Sequence, residues 1–214
     1  APICRECGHR YQLREYLFSW RCSQCQSKPP LRNYLVVIGM ILLSFLVAVF
    51  PIKGLSYWAA VPLFAFLTLI LTIDMEYRAV LNETSIAGAI LMLIFGIFMN
   101  GIVNTLLGGV AGYGAMLLLY YGGILFTRVL SRIRHQEIDE VALGFGDVNV
   151  TGFLGLLVGW PDILSTLVVA ILLGGVISLL IIVVLLLTKR YQAFSAIPYT
   201  PFLILAAIFV LFVR

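Results

Sequence analysis

Charged side chains are scarce in this sequence: only 11% of its 214 residues are charged, whereas 62% are hydrophobic. This balance is far from that of ordinary soluble domains. Histidine is scarcer still, because only His9 and His135 occur, both in polar segments. No Ser-His or Cys-His arrangement therefore offers a competing catalytic nucleophile. The net charge of +4 gives no indication of a nucleic-acid partner, and we expect none.

A signal peptide is also missing from the start of the chain. The first thirty residues are polar and contain all four cysteines, unlike an apolar targeting segment. The chain begins with Ala1 rather than methionine, so we expect an N-terminus that has been processed, truncated or renumbered.

Long apolar runs fill the rest of the sequence and predict an all-α polytopic membrane protein with about seven transmembrane helices. The third and fifth runs are short for a bilayer, so we expect them to extend into their flanks or to sit where the bilayer thins. The predicted spans are residues 34–50, 57–73, 85–98, 103–126, 148–160, 163–187 and 201–213. We expect residues 1–33 to form a cytoplasmic module and residues 34–214 to form a membrane domain.

The lysines and arginines predict the orientation of the spans, since basic residues accumulate in cytoplasmic segments. With the N-terminus in the cytoplasm, twelve of the fourteen basic residues lie inside, and only Lys53 and Arg214 lie outside. The opposite topology would reverse that ratio. Asp74, at the end of the second span, and Asp147, at the start of the fifth, are thus predicted to face the cytoplasm.

Four cysteines form two C-x-x-C knuckles, separated by fourteen residues. Four thiolates at this spacing are typical of a tetrahedral structural zinc site, with Cys4, Cys7, Cys22 and Cys25 as ligands. Two disulfides or a redox pair are the alternatives, but a cytoplasmic module argues against stable disulfides. Metal binding would then supply much of the folding free energy of this small module.

Asp147 and Asp74 are the residues that we expect to carry catalysis. An ionisable group at a membrane span is a functional-site hypothesis by default. Gly144 and Gly146 leave the backbone beside Asp147 open, so that an extended peptide could lie against it. The structural alternative for Asp147 is that it caps a helix. For Asp74 the alternative is that it simply marks the end of a span, as acids often do. Asp162, on the opposite side, is interpreted as a cap of the sixth span.

Two such carboxyl groups can hold one proton between them. One acts as a base toward a water that attacks the scissile carbonyl, the other polarises that carbonyl, and they exchange roles when the amine leaves. This pattern predicts an intramembrane aspartic protease. Glycine pairs with small-xxx-small spacing, Gly108 with Gly112 and Gly155 with Gly159, predict close helix packing.

Four features together resemble the type IV prepilin peptidase family, the leader peptidases and N-methyltransferases of the GxGD aspartic protease class. They occur in the family's order and cover nearly the whole chain. They are the paired cysteine knuckles, Ile-Asp-Met-Glu-Tyr-Arg at 73–78 with Val-Leu-Asn at 80–82, Gly-Phe-Gly-Asp-Val-Asn at 144–149, and Ile-Pro-Tyr-Thr-Pro-Phe at 197–202.

The resemblance implies that Asp74 and Asp147 are the catalytic pair of an enzyme in the bacterial inner membrane. Its substrates would be prepilins or pseudopilins, whose short leader is removed on the cytoplasmic face, and S-adenosylmethionine would donate a methyl group to the new N-terminus. The chain departs from the family pattern in three places. It begins at the cysteine module rather than with a helix before it, Val80-Leu81-Asn82 lacks the usual proline, and Asn149 stands where lysine is usual.

Three alternatives remain open at this stage. A cleavage-only, preflagellin-type peptidase would lack methyl transfer, and the sequence carries no nucleotide-binding fingerprint that locates a donor site. A proton-coupled carrier would use membrane carboxylates as relays, but such groups are expected near the bilayer midplane. A non-enzymatic assembly subunit would use the cysteine module for docking and would tolerate loss of either aspartate.

Overall fold

The computed structural model describes residues 7–10, 22, 24–25, 31–77, 82–134, 144–187 and 199–214. Within those residues the chain is helical and contains no β-strand, which confirms the predicted all-α fold with seven helices. The helices are α1 (Leu31–Val49), α2 (Tyr57–Tyr77), α3 (Asn82–Asn100), α4 (Ile102–Arg134), α5 (Phe145–Val158), α6 (Asp162–Leu187) and α7 (Thr200–Val213).

Four of the helices are long and apolar enough to cross a membrane, namely α2, α3, α4 and α6. The third predicted span extends into its flanks as expected, and α3 reaches Asn82 at one end and Asn100 at the other. The fifth stays short, and α5 has only 14 residues. Apolar segments of 10–17 residues also lie in α1 and α7.

The chain divides into two compact units, Ala1–Phe45 and Leu46–Arg214. The first contains the described cysteines and most of α1, and the second contains α2 to α7. The boundary that we predict between a cysteine module at 1–33 and a membrane domain at 34–214 stays a prediction.

Helix α5 is the central element of the second unit, where it contacts α3, α4, α6 and α7. Ten of its fourteen residues are buried, including Asp147 and the hydroxyl residue Thr151. Asp147 and Thr151 are therefore held inside the helical bundle rather than on its outer surface.

Glycines allow α4 and α5 to pack backbone against backbone. A Cβ atom added to Gly108 would overlap the carbonyl oxygen of Gly155, and one added to Gly155 would overlap that of Gly108. At Gly112 the added atom would lie 2.8 Å from the Thr151 carbonyl oxygen. The close approach that the small-xxx-small spacing predicts is thus present, and it fixes the position of α5 within the bundle.

Candidate active site

Asp74 and Thr200 lie on neighbouring antiparallel helices at similar heights. Helices α2 and α7 pack together, and their Phe64 and Phe212 rings stack with centroids 6.2 Å apart. Asp74 follows Phe64 by ten residues and Thr200 precedes Phe212 by twelve. At a helical rise of 1.5 Å per residue, the two sites lie about 15 and about 18 Å along their helices from this aromatic contact. The last turn of α2 and the first turn of α7 are therefore at the same level.

Asp147 lies in the first turn of α5, where the positive end of the helix dipole stabilises a carboxylate. Its Oδ2 accepts a hydrogen bond from the Gly144 amide at 3.3 Å, while the Asp147 amide donates to the Gly144 carbonyl oxygen at 3.1 Å. The N-cap residue is thus Gly144 and not Asp147, although one carboxylate oxygen of Asp147 bonds to the N-cap amide. The other oxygen, Oδ1, accepts a hydrogen bond from the Thr200 hydroxyl at 2.7 Å.

The structure brings Asp74, Asp147 and Thr200 together at one end of the second unit. The three residues are 6%, 9% and 0% exposed. Asp74 is close enough to interact electrostatically with Asp147 and also with the Thr200 side chain. Within the described part of the chain neither carboxyl group forms an ion pair, and Asp74 Oδ2 has no hydrogen-bond partner. We call these three residues the Asp147 cluster.

Buried carboxyl groups without a cationic partner are unfavourable as two simultaneous charges. Two such groups side by side can instead hold a single proton, which leaves one of them able to donate a proton and the other able to accept one. This arrangement is suited to general acid–base chemistry on a water molecule. The cluster holds no thiol, and its one hydroxyl, that of Thr200, donates to a carboxylate and not to the histidine or amine base of the usual covalent mechanisms.

Thr200 and its neighbour Tyr199 were not singled out by the sequence analysis, although both occur in the quoted segment at 197–202. Burial, and then the negative charge of Asp147, raise the pKa of the Tyr199 phenol, which therefore stays a neutral hydroxyl at physiological pH. Charge counting could have placed both residues on the same side of the membrane as the two aspartates, but not in contact with them. The orientation that places Asp74 and Asp147 on one side of the membrane also places the start of the seventh span there.

The third aspartate that borders a span, Asp162, lies elsewhere and has a different environment. It is the first residue of α6, and its Oδ2 lies 3.1 Å from the Arg214 Nε. Arg214 also donates hydrogen bonds to the side-chain oxygen of Asn100 and to the Val158 carbonyl oxygen. Asp162 is thus part of a paired polar group, consistent with the structural role that we assigned to it.

Three of the four predicted zinc ligands form a cluster in the first unit. The Sγ atoms of Cys7, Cys22 and Cys25 lie within 4.8 Å of one another, and those of Cys7 and Cys22 are 3.5 Å apart. Sulfurs bound at about 2.3 Å to a tetrahedral zinc ion lie about 3.8 Å from one another, so these three positions fit such an ion. Hydrogen bonds from the backbone, first from Cys25, lower the pKa of the Cys22 thiol toward the thiolate that binds metal.

Several sequence predictions concern residues outside the described part of the chain. They are the fourth cysteine Cys4, the segments at 78–81 and 197–198, and His135. Gly146, the second glycine of the predicted motif, is described and lies in the first turn of α5 between Phe145 and Asp147.

Comparison with known proteins places these residues in a family. The sequence profile of the type IV leader peptidase family matches residues 61–179, which include Asp74 and Asp147. A prepilin leader peptidase/N-methyltransferase of Pseudomonas putida is 28% identical over 216 residues, which cover 96% of this chain and 69% of the relative. A protein of the same name from Pectobacterium carotovorum subsp. carotovorum is 27% identical over 81% of this chain and 62% of the relative. Another from Aeromonas hydrophila is 26% identical over 95% of this chain and 68% of the relative. No solved structure matches. Because the profile covers more than half of its length, the chain belongs to the type IV leader peptidase family and is a peptidase.

Proposed function

We propose that this protein is a membrane aspartic endopeptidase that removes the short leader from type IV prepilins or pseudopilins, with Asp74 and Asp147 as its catalytic pair. The observation that carries the proposal is the convergence of two buried carboxyl groups from α2 and α5, which lie 73 residues apart in the sequence. The match to the leader peptidase family, whose profile includes both residues, supports it independently.

In the proposed reaction the pair begins with one proton. The carboxylate takes a proton from a water molecule as the water oxygen bonds to the scissile carbonyl carbon, and the protonated partner gives its proton to the carbonyl oxygen. When the C–N bond breaks, the departing amine receives a proton from the group that had served as base, and the other carboxylate takes a proton from a hydroxyl of the tetrahedral intermediate as the new carbonyl forms. The pair is then ready for another cycle with its proton restored.

The environment of the acids favours a protease over a proton-coupled carrier. A carrier is expected to hold its ionisable groups near the bilayer midplane, often in broken helices. Asp74 lies in the last turn of α2 and Asp147 in the first turn of α5, which are helix ends. The described interiors of the apolar helices carry no other aspartate or glutamate.

We further propose that the enzyme is a multi-pass protein of the bacterial inner membrane, with the cysteine module and the catalytic pair facing the cytoplasm. The distribution of lysine and arginine supports this orientation. Methylation of the new N-terminus with S-adenosylmethionine is suggested by the name of the relatives, prepilin leader peptidase/N-methyltransferase. We assign no residue of this chain to the methyl donor.

The test uses the purified full chain in detergent or liposomes, with a prepilin as substrate and S-adenosylmethionine carrying a labelled methyl group. Wild-type protein should cleave the leader and transfer label to the product. Asp74→Asn and Asp147→Asn should each lower the cleavage rate by at least about 100- to 10,000-fold, the usual contribution of general acid–base catalysis.

Asp162→Asn is the matched control, because it removes the same charge at a site where Arg214 and not another acid is the neighbour. It should cleave at the wild-type rate, and all four proteins should show the same helical circular dichroism. Wild-type activity in either Asp74→Asn or Asp147→Asn would remove that residue from the pair. Cleavage without label transfer would establish the preflagellin-type alternative.

We also propose that the cysteine module binds one structural zinc ion through Cys4, Cys7, Cys22 and Cys25. The three described sulfurs already fit three corners of a tetrahedron. Bound zinc would hold the module together with a free energy on the order of 10 kcal/mol. Elemental analysis should find one zinc per chain in the wild type and substantially less in Cys22→Ser. Equal zinc in both proteins, or four thiols that resist titration because they are oxidised, would refute the assignment.

A further inference from the structure

Thr200 bonds differently from five threonines inside the described helices. The hydroxyls of Thr68, Thr72, Thr127, Thr151 and Thr166 each donate to the carbonyl oxygen four residues earlier in their own helix. Such bonds are the usual way in which a threonine inside an apolar helix satisfies its hydroxyl. Thr200 instead donates to Asp147, 53 residues away in the sequence.

The position of Thr200 in its helix explains this difference. Thr200 is the first residue of α7, and Pro201 follows it. Because α7 begins at Thr200, position i−4 is not part of this helix, and the hydroxyl bonds to another helix instead. The side chain is fully buried, and its oxygen lies 2.7 Å from Asp147 Oδ1. This separation is an ordinary distance for a hydroxyl–oxygen hydrogen bond.

The bond completes the restraint of the Asp147 carboxylate. The Gly144 amide holds Oδ2 from the start of α5, and the Thr200 hydroxyl holds Oδ1 from the start of α7. Two donors from different elements fix the rotation of the carboxylate plane, which one donor would leave free. Thr200 also interacts with Asp74. A hydroxyl that donates to one carboxylate keeps lone pairs that can accept a hydrogen bond from the protonated form of another.

We propose that Thr200 is a positioning residue of the peptidase site, where its hydroxyl holds the Asp147 carboxylate in the orientation that faces Asp74. This inference rests on the proposed catalytic pair and extends it to a third helix. It predicts that α7 belongs to the active site even though the family match ends at residue 179. The role is to orient a reacting group, so loss of the hydroxyl should lower kcat more than it changes KM.

The test compares substitutions of Thr200 in the full chain, again with prepilin cleavage as the assay. Thr200→Val keeps the branched shape and removes the hydroxyl, and it should lower kcat roughly 10- to 100-fold while KM stays within about twofold of wild type. Thr200→Ser restores the hydroxyl without the methyl group and should recover most of kcat. Thr166→Val is the control, because Thr166 is equally buried and lies in the first turns of α6, where it bonds only to its own helix.

Wild-type kcat in Thr200→Val would overturn the proposal, as would an equal loss in Thr200→Ser and Thr200→Val, since the loss would then follow packing and not the hydroxyl. If Thr200→Val does not fold, Thr200→Ser and Thr200→Ala differ by one hydroxyl and provide the same comparison. Asp147→Asn, assayed in parallel, separates the two proposals. An active Asp147→Asn refutes the catalytic pair itself, whereas an inactive Asp147→Asn beside a fully active Thr200→Val refutes only the role of Thr200.

Discussion

Aspartates lie at both ends of the second unit, but their burial and their partners differ. At one end Asp162 is 29% exposed and pairs with Arg214, which also bonds to Asn100. At the other end Asp74 and Asp147 are nearly buried and have no cationic partner among the described residues. A partly exposed ion pair contributes little to stability, about 0–1 kcal/mol. Buried acids without a cation are destabilising, and they are retained where chemistry needs them.

This difference teaches that an acid at the edge of a membrane span can be assigned a catalytic or a structural role only when its neighbours are known. All three aspartates border apolar spans, and from the sequence Asp147 and Asp162 could be interpreted as helix caps and Asp74 as a marker of the end of a span. Asp162 and Asp147 both lie in the first turn of a helix. What distinguishes them is the neighbour that the fold supplies: a guanidinium for Asp162, and a second carboxyl group for Asp147.

Helix α5 connects the two ends, and a glycine flanks it on each side. Gly144 precedes the helix with φ −78° and ψ 147°, an extended conformation that any residue adopts. Gly159 follows it with φ +80°, in the left-handed region that favours glycine. A Cβ atom at Gly144 would meet Asp147 Oδ2 at 3.7 Å, an ordinary contact, whereas one at Gly159 would lie only 2.7 Å from Asn100 Nδ2. One glycine is therefore required by the fold and the other is not.

The largest effect on stability is expected from Gly159→Ala. Alanine must adopt a left-handed backbone, which by itself costs about 1–3 kcal/mol. Its Cβ would also displace Asn100, whose amide nitrogen donates to the Leu157 carbonyl oxygen at 2.9 Å. The midpoint of thermal unfolding in detergent should fall clearly, while kcat measured on the folded fraction should stay near wild type.

Gly175→Ala provides the control for this prediction. Gly175 lies inside α6, and an added Cβ atom would meet nothing within 4 Å. Alanine there should leave the unfolding midpoint unchanged or raise it slightly, because alanine is the better helix former. If Gly159→Ala were as stable as Gly175→Ala, the contrast between the two ends of α5 would lose its structural basis.

Much of the fold follows from local features of the sequence. Seven helices could be predicted because an apolar run of spanning length forces the backbone to satisfy its own hydrogen bonds. Their ends could not be located as well. The short apolar run predicted that α3 extends into its flanks, but hydropathy alone does not locate the ends at Asn82 and Asn100.

The candidate site shows where sequence reasoning stops. Asp74 and Asp147 could be assigned to one side of the membrane from charge counting, and the structure places them near each other. The contact between Thr200 and Asp147 depends on how α5 and α7 pack, and 53 residues separate the partners. The hydrophobic periodicity of the sequence does not indicate which residues of two distant helices come into contact. The left-handed conformation of Gly159 was likewise hidden, since the small-xxx-small spacing predicts close packing but not a backbone angle.

A smaller effect, on activity and not on stability, is expected from Gly144→Ala. The backbone at residue 144 is extended and the new methyl group would be in ordinary contact, so the free energy of unfolding should change by less than about 1 kcal/mol. If an extended prepilin segment lies against this backbone beside Asp147, the methyl group occupies its path. The ratio kcat/KM for cleavage should then fall roughly tenfold, equivalent to about 1.4 kcal/mol. Gly175→Ala, with the same chemical change at a distant site, should cleave normally. Normal cleavage by Gly144→Ala would show that the substrate approaches Asp147 from another direction, and the difference between the two glycines would then concern the fold alone.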